Sequence, residues 1–225
     1  MAEVIPVTDL GKTSYIQIPL GALRVNCYIV WNNASKDAFV IDPGGEPDMI
    51  WHAIARFSLV VRYVVNTHGH FDHVGANAEV KKRAREASIA IHSKDALLLK
   101  TAHEHGLFFG VKTPKQPEPD MLFKDGDILS AGSLTLKVLH TPGHTAGGVC
   151  LYDEADGLLF TGDTLFAGSV GRTDFEGGSS EVLMRSIKTK LLPLDDSVRV
   201  LPGHGPASTI GEERSSNQFI RDITR

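Results

Sequence analysis

Seven consecutive residues, Thr67-His68-Gly69-His70-Phe71-Asp72-His73, carry three imidazoles and one carboxylate. Side chains this polar and this crowded need partners wherever they are buried. A bound metal satisfies all of them at once, so the fold must deliver this segment to an ion. His68 and His70 are two apart, and an extended backbone turns both to one side. Asp72 and His73 come just before a helical run, whose turn can swing them toward a second ion. Asp72 taken alone also reads as a cap for that helix.

Three more candidates lie downstream, each in a loop after a strand-like run. His144 sits in Pro-Gly-His-Thr, Asp163 in Thr-Gly-Asp-Thr and His204 in Pro-Gly-His-Gly. Individually His144 and His204 also read as stabilisers of their own turns. Together with the cluster they make five histidines and two aspartates, enough donors for two divalent ions. Histidine and aspartate without cysteine favour zinc and also admit iron or manganese. A metal pair roughly 3.5–4 Å apart takes the pKa of a shared water from about 15.7 toward about 7. Hydrolysis is then the expected reaction class, with no serine or cysteine nucleophile required. Asp72 and Asp163 are the carboxylates expected to take part in it, although coordination limits the freedom of Asp72 to move a proton.

The bulk properties exclude other classes. With 42% hydrophobic and 22% charged positions in 225 residues, the chain has an ordinary globular composition. The net charge of −4 argues against a nucleic-acid or anionic-membrane partner. The densest basic stretch, Lys81-Lys82-Arg83-Ala84-Arg85, lies on a helical run and reads as a solvated face. No apolar run reaches the roughly 18–20 residues of a membrane span. The N-terminus lacks the basic and apolar regions of a signal peptide. Cys27 and Cys150 lie in apolar strand-like runs and read as buried free thiols, which suits a reducing compartment. The expectation is a cytoplasmic chain forming a single domain over 1–225.

Strand-like runs fall at 15–20, 25–31 and 37–41, the last ending in the turn Asp42-Pro43-Gly44-Gly45. Helical spacing marks 47–57, and the β-rich run 59–65 feeds into the histidine cluster. Helices are expected at 74–86 and 93–105, with a short strand from Ser88 to His92 between them. Residues 106–120 read as a long ordered loop, a kind of segment that often serves function. Then come strands at 121–123, 127–129, 133–140, 148–153 and 157–161, a helix at 179–191, a strand at 198–201 and a helix at 211–221. Periodicity alone establishes a mixture of α and β.

In order and spacing, Asp42, His68-x-His70-x-Asp72-His73, His144, Asp163 and His204 closely resemble the metallo-β-lactamase superfamily. That resemblance spans nearly the whole chain and implies an α+β fold, a four-layer αβ/βα sandwich with the site at one edge. It further implies that His68, His70 and His144 hold one metal, that Asp72, His73 and His204 hold the second, and that Asp163 bridges them. Asp42 would orient a ligand histidine from behind, a role compatible with its place in the turn.

The stretch Gly162-Asp163-Thr164-Leu165-Phe166-Ala167-Gly168-Ser169-Val170-Gly171-Arg172-Thr173-Asp174-Phe175-Glu176-Gly177-Gly178 resembles the glyoxalase II branch, as does Leu201-Pro202-Gly203-His204-Gly205-Pro206. This resemblance implies a small-molecule thioester substrate such as S-lactoylglutathione. Arg172 matches a basic residue that contacts glutathione there, and Phe175 stands where that branch has a tyrosine. Larger members carry a C-terminal helical domain; this sequence ends about twenty residues after His204 and resembles the short bacterial form. Arg172 also reads as a partner of Asp174 or Glu176. The rival readings are a mononuclear iron persulfide dioxygenase, which would use only His68, His144 and Asp163, and a lactonase or β-lactamase. Of the other histidines, His52 reads as surface and His92 as structural. His103 and His105 are weighed as pocket-lining, and His140 as a residue behind the ligands.

Overall fold

Alternation along the early strands decides the architecture. In Thr13–Leu20 the side chains of Ile16, Ile18 and Leu20 face one way and Tyr15 the other; in Val25–Asn32, Cys27, Ile29 and Trp31 oppose Tyr28 and Val30. Both faces are apolar, so the sheet must be covered on both sides. The structure, a computed structural model, describes residues 6–221. It has two main sheets, three large apolar layers and helices on the two outer faces, which is the αβ/βα sandwich.

The first sheet runs in chain order: Thr8–Asp9 (β1), Thr13–Leu20 (β2), Val25–Asn32 (β3), Asp37–Ile41 (β4), Val60–Val65 (β5), Ser88–His92 (β6) and Met121–Phe123 (β7). Strands β1 to β4 pair antiparallel, and β4 to β7 parallel. The parallel crossovers are helical: Pro47–Arg56 (α1), Phe71–Val74 (α2), Asn77–Arg83 (α3) and Ala96–Phe108 (α4). Proline at the start of α1 suits a helix's first turn, where its missing N–H costs nothing. Ile50, Ala53 and Ile54 of α1 and Val80 of α3 close the outer layer over the first sheet.

The second sheet contains Ile128–Ala131 (β8), Leu134–His140 (β9), Val149–Asp153 (β10), Leu158–Gly162 (β11), Arg199–Pro202 (β14) and Ser208–Thr209 (β15), ordered β15-β14-β11-β10-β9-β8. A separate ribbon of Leu165–Phe166 (β12) and Ser169–Val170 (β13) leaves it after Asp163. Its outer face is covered by Ser180–Ser186 (α5), a π-helical continuation over Ile187–Leu191, Ile210–Ser216 (α6) and Gln218–Arg221 (α7). The middle layer holds Tyr28, Phe39, Phe123, Leu136, Leu151 and Phe160 from both sheets. Cys27 lies in the first outer layer and Cys150 in the third, both buried and free.

Several sequence expectations need correction. The helix expected at 74–86 is two short helices interrupted at Gly75–Ala76, because the segment first turns at the histidine cluster. α4 extends to Phe108, so the irregular stretch begins at 109 rather than 106. The helix expected at 211–221 breaks at Asn217, whose side chain binds the Ser169 carbonyl and Glu213. The two-residue strands β1, β12, β13 and β15 are too short for alternation to mark. No helix among the described residues is long and apolar enough to cross a membrane.

Candidate metal centre

The site is built where strands end. β4 and β5 lie side by side with Ile41 opposite Val65, which brings the residues after each together. Asp42 takes a left-handed backbone conformation, φ 49°. Its carboxylate then accepts from the Thr67 amide at 2.7 Å, the Thr67 hydroxyl at 2.6 Å and His73 Nδ1 at 2.9 Å. The next residue, His68, turns its Nε2 to 3.0 Å from His70 Nδ1. α2 starts at Phe71 with His70 as its cap residue, so Asp72 does not cap the helix and its carboxylate is available to the site.

The second sheet supplies the rest. His144 lies in the turn between β9 and β10, and its Nε2 is also 3.0 Å from His70 Nδ1. Asp163 follows β11, and His204 follows the neighbouring parallel strand β14. Asp163 Oδ1 is 3.4 Å from His73 Nε2, while Oδ2 is 3.6 Å from His144 Nε2 and 3.8 Å from His204 Nε2. His204 Nε2 lies 3.3 Å from Asp72 Oδ2. Three donor groups result, His68–His70–His144, Asp72–His73–His204 and Asp42–His68–His73, each with its atoms within 4.8 Å of one another. The Asp42 carboxylate is already occupied by Thr67 and His73 Nδ1, which leaves the first two open to an ion. Asp163 stands between the two. A Cβ on Gly203 would lie 2.4 Å from Asp163 Oδ1 and 2.7 Å from the His73 ring, so only glycine lets those two approach.

The hydrogen bonds around the ligands test whether a cation fits. His144 Nδ1–H donates to the Arg172 carbonyl at 2.7 Å, and His73 Nδ1–H donates to Asp42. The Thr67 hydroxyl is spent on Asp42, so it accepts from His68 Nδ1 at 3.2 Å. Each bond puts the ring's proton on the outer nitrogen and leaves the inner one as a lone pair. Lone pairs of His68 and His144 therefore converge on His70 Nδ1, which has one proton at most to offer. Likewise His73 Nε2 and Asp163 Oδ1 are buried with no hydrogen-bond partner. Two divalent ions satisfy both defects, so the donor set fits a binuclear centre.

The charges agree. Burial, then the nearby rings of His73, His70 and His144, hold His68 far below the usual imidazole range, and burial with His144 and His73 takes His70 down to about 3. Neutral rings are what a metal requires. His73 is the exception: burial opposes its charge, but Asp163, Asp72 and Asp42 overcome this and raise it above the usual range, so a cation must displace its proton. Burial works against ionisation of Asp163, yet His73 beside it brings the carboxyl below its ordinary value.

Arg172 and Phe175 lie at the rim. The Phe175 ring is 5.4 Å from that of His70, and the Arg172 guanidinium sits 4.0 Å over Phe175. Arg172 also grips Asp174 with two 2.7 Å hydrogen bonds. His140 is behind the site: its ring stacks on His92 at 4.2 Å and donates from Nε2 to the Ala146 carbonyl, steadying the His144 turn.

Sequence reasoning overlooked Asp95. It occupies the cap position of α4 but makes no capping bond. Its buried carboxylate instead accepts from the Gly69 amide at 3.1 Å, the Thr145 hydroxyl at 2.7 Å and the Gly147 amide at 2.6 Å. It thus ties the His68–His70 loop to the His144 loop. In sequence it is one more aspartate before a helix.

Comparison with known proteins identifies the family and the fold. Residues 20–204 match the family model of the metallo-β-lactamase superfamily. Hydroxyacylglutathione hydrolase GloC of Haemophilus influenzae is 39% identical over 204 residues, covering 90% of this chain and 96% of that protein. The crystal structure of BLEG-1 B3 metallo-beta-lactamase superposes with a TM-score of 0.86 at 36% identity, covering 92% and 99% of the two chains. TTHA1623 in a di-iron-bound form superposes with a TM-score of 0.83 at 36% identity, covering 90% and 98%. Sequence and fold converge, and the chain belongs to the metallo-β-lactamase superfamily.

Proposed function

We propose that this protein is a metal-dependent thioester hydrolase acting on S-lactoylglutathione or related acyl-glutathione thioesters. The observation that carries it is the pair of donor groups joined by Asp163, with three inner lone pairs and a buried carboxylate oxygen waiting for cations. The likeness to a hydroxyacylglutathione hydrolase across 96% of that protein supports the substrate class.

In this reading His68, His70 and His144 would hold one ion and Asp72, His73 and His204 the other, with Asp163 available between the two groups. Zinc suits the donors, and the di-iron relative shows that iron suits this fold as well. Bound there, two divalent ions would supply Lewis acidity toward an acyl oxygen and lower the pKa of water toward neutral. The protein's own part is orientation. Asp42 keeps the His73 proton on Nδ1, the Arg172 carbonyl does the same for His144, and Asp95 fixes the spacing of their loops. Asp72, beside His204, is the carboxylate placed to pass a proton. A thiolate leaves without a strong acid, which suits a site whose carboxylates, among the described residues, are taken up as candidate ligands or by hydrogen bonds. Arg172 and Phe175 contact the thiol portion at the rim.

A second reading, hydrolysis of a cyclic amide, is favoured by the likeness to the B3 β-lactamase at 36% identity. Elemental analysis of the purified protein with parallel assays on S-lactoylglutathione and a chromogenic β-lactam separates the two. Two metals with thioester turnover are expected. One iron with oxygen consumption on a persulfide would instead establish the dioxygenase.

A further inference from the structure

An arc of aromatic rings leads away from the metal centre. Phe175 contacts His70 at 5.4 Å, Phe109 contacts Phe175 at 6.0 Å, and Phe71 stacks on Phe109 at 5.6 Å with planes 20° apart. Phe108 continues it, 5.2 Å from Phe109. Phe108 is 84% exposed and Phe109 49%. Exposing rings this large costs free energy that a folded chain ordinarily avoids, so a contiguous exposed apolar patch marks a binding surface.

The arc also has a cavity. Phe71 is one wall of a cleft of about 270 Å³ that reaches Asp72, with Leu23, Val111 and Pro47 among its other walls. Leu23 is 51% exposed, and its carbonyl accepts from His204 Nδ1 at 3.2 Å, so this wall is fastened to the metal centre. Phe109 is the hinge of the arrangement, touching the ring that lines the cleft and the ring that touches His70. The cation at the rim, Arg172, is held by Asp174 and lies on the Phe175 face, away from the cleft. A chain entering the cleft from Asp72, the ligand residue in its lining, meets Phe71, Leu23, Pro47 and Val111, with Glu46, Lys112 and Thr113 as the polar part of the wall and Phe109 stacked behind Phe71.

We propose that the Phe71–Phe109 arc and its cleft form the acyl subsite, and that the preferred substrates carry an apolar acyl group of several carbons or a ring. This rests on the thioester reading for the reaction but not for the binding. The acyl product of any such hydrolysis is a carboxylate, whose head would sit beside Asp72, where the cleft meets the metal centre, and whose tail would enter the cleft.

The test is calorimetric titration of zinc-loaded protein with linear carboxylates from acetate to octanoate and with phenylacetate, beside kcat/KM for the matching acyl-glutathiones. Kd is expected to fall by up to about fourfold for each added methylene that is fully buried, up to the length the cleft holds. Phe109→Ala should flatten the series to within about threefold overall while leaving acetate within about twofold. Leu107→Ala, exposed and outside the arc, should keep the slope. A flat carboxylate series in the wild type, or an undiminished slope in Phe109→Ala, overturns the subsite even if thioesters turn over. An intact slope with no turnover of any acyl-glutathione supports the subsite and strikes the thioester reading instead.

Discussion

The Asp42 carboxylate holds His73 by its Nδ1 at 2.9 Å while its other oxygen, 2.7 Å from the Thr67 amide, anchors the start of the histidine loop. One residue in a left-handed conformation thus sets both the tautomer of one ligand and the position of the strand end that carries the others. Asp42→Asn keeps the shape but loses the charge that stabilises a ligated imidazole. Metal affinity should fall about 10- to 100-fold, measured by chelator competition, with the circular dichroism spectrum unchanged. Undiminished affinity would reduce Asp42 to a turn residue.

Asp95 should matter as much to the fold as to the site. Asp95→Ala leaves two amides and a hydroxyl without their acceptor in a buried place. A destabilisation of about 3 kcal/mol is expected in urea unfolding, together with lower metal occupancy. Stability and occupancy both at wild-type levels would show that water takes over the acceptor role.

The metal-free protein should be sensitive to acid. Burial, His144 and His73 hold His70 at about 3, whereas the unfolded imidazole titrates near about 6.5. Below that value the unfolded chain binds a proton that the folded chain refuses. This contribution is complete above about 6.5 and is lost as the pH falls toward 3. His73 runs the other way: burial opposes its charge, but Asp163, Asp72 and Asp42 raise it above the usual range, so its contribution is lost as the pH rises. Urea melts of stripped protein between pH 7 and 4 should show a steeper loss for wild type than for His70→Gln. Parallel slopes would contradict the burial of a neutral ring.

Arg172→Ala should raise KM for glutathione thioesters about threefold and leave kcat within about twofold, as for loss of uniform binding. Its pairing with Asp174 is exposed, so water screens it and thermal stability should hardly change. Asp174→Asn releases the guanidinium and should lower the same KM. Steady-state kinetics on the two variants decides the matter, and an unmoved KM in both removes Arg172 from substrate contact.

What could be read from sequence was whatever lies close together along the chain or repeats with a period. His68, His70, Asp72 and His73 are crowded enough to announce themselves, and the alternation at 25–31 marks a strand. His144, Asp163 and His204 were legible through Pro-Gly and Thr-Gly turns that resemble a known family. Asp95 was not, because its partners are 26, 50 and 52 residues away and an aspartate before a helix already has a sufficient local explanation. The break at Asn217 was hidden for the same reason, since its partner Ser169 lies 48 residues back. The aromatic arc was invisible too: Phe71, Phe109 and Phe175 share no motif and meet only once the sandwich closes.

The ligands are divided between the two sheets. His68, His70, Asp72 and His73 follow β5, whereas His144, Asp163 and His204 follow strands of the other sheet. A cut in the Asp125-Gly126-Asp127 turn would sort them into two fragments, neither owning a full set of donors for either ion. Metal uptake by the mixture would then report reassembly of the halves, making the centre a built-in gauge of whether the sandwich is whole.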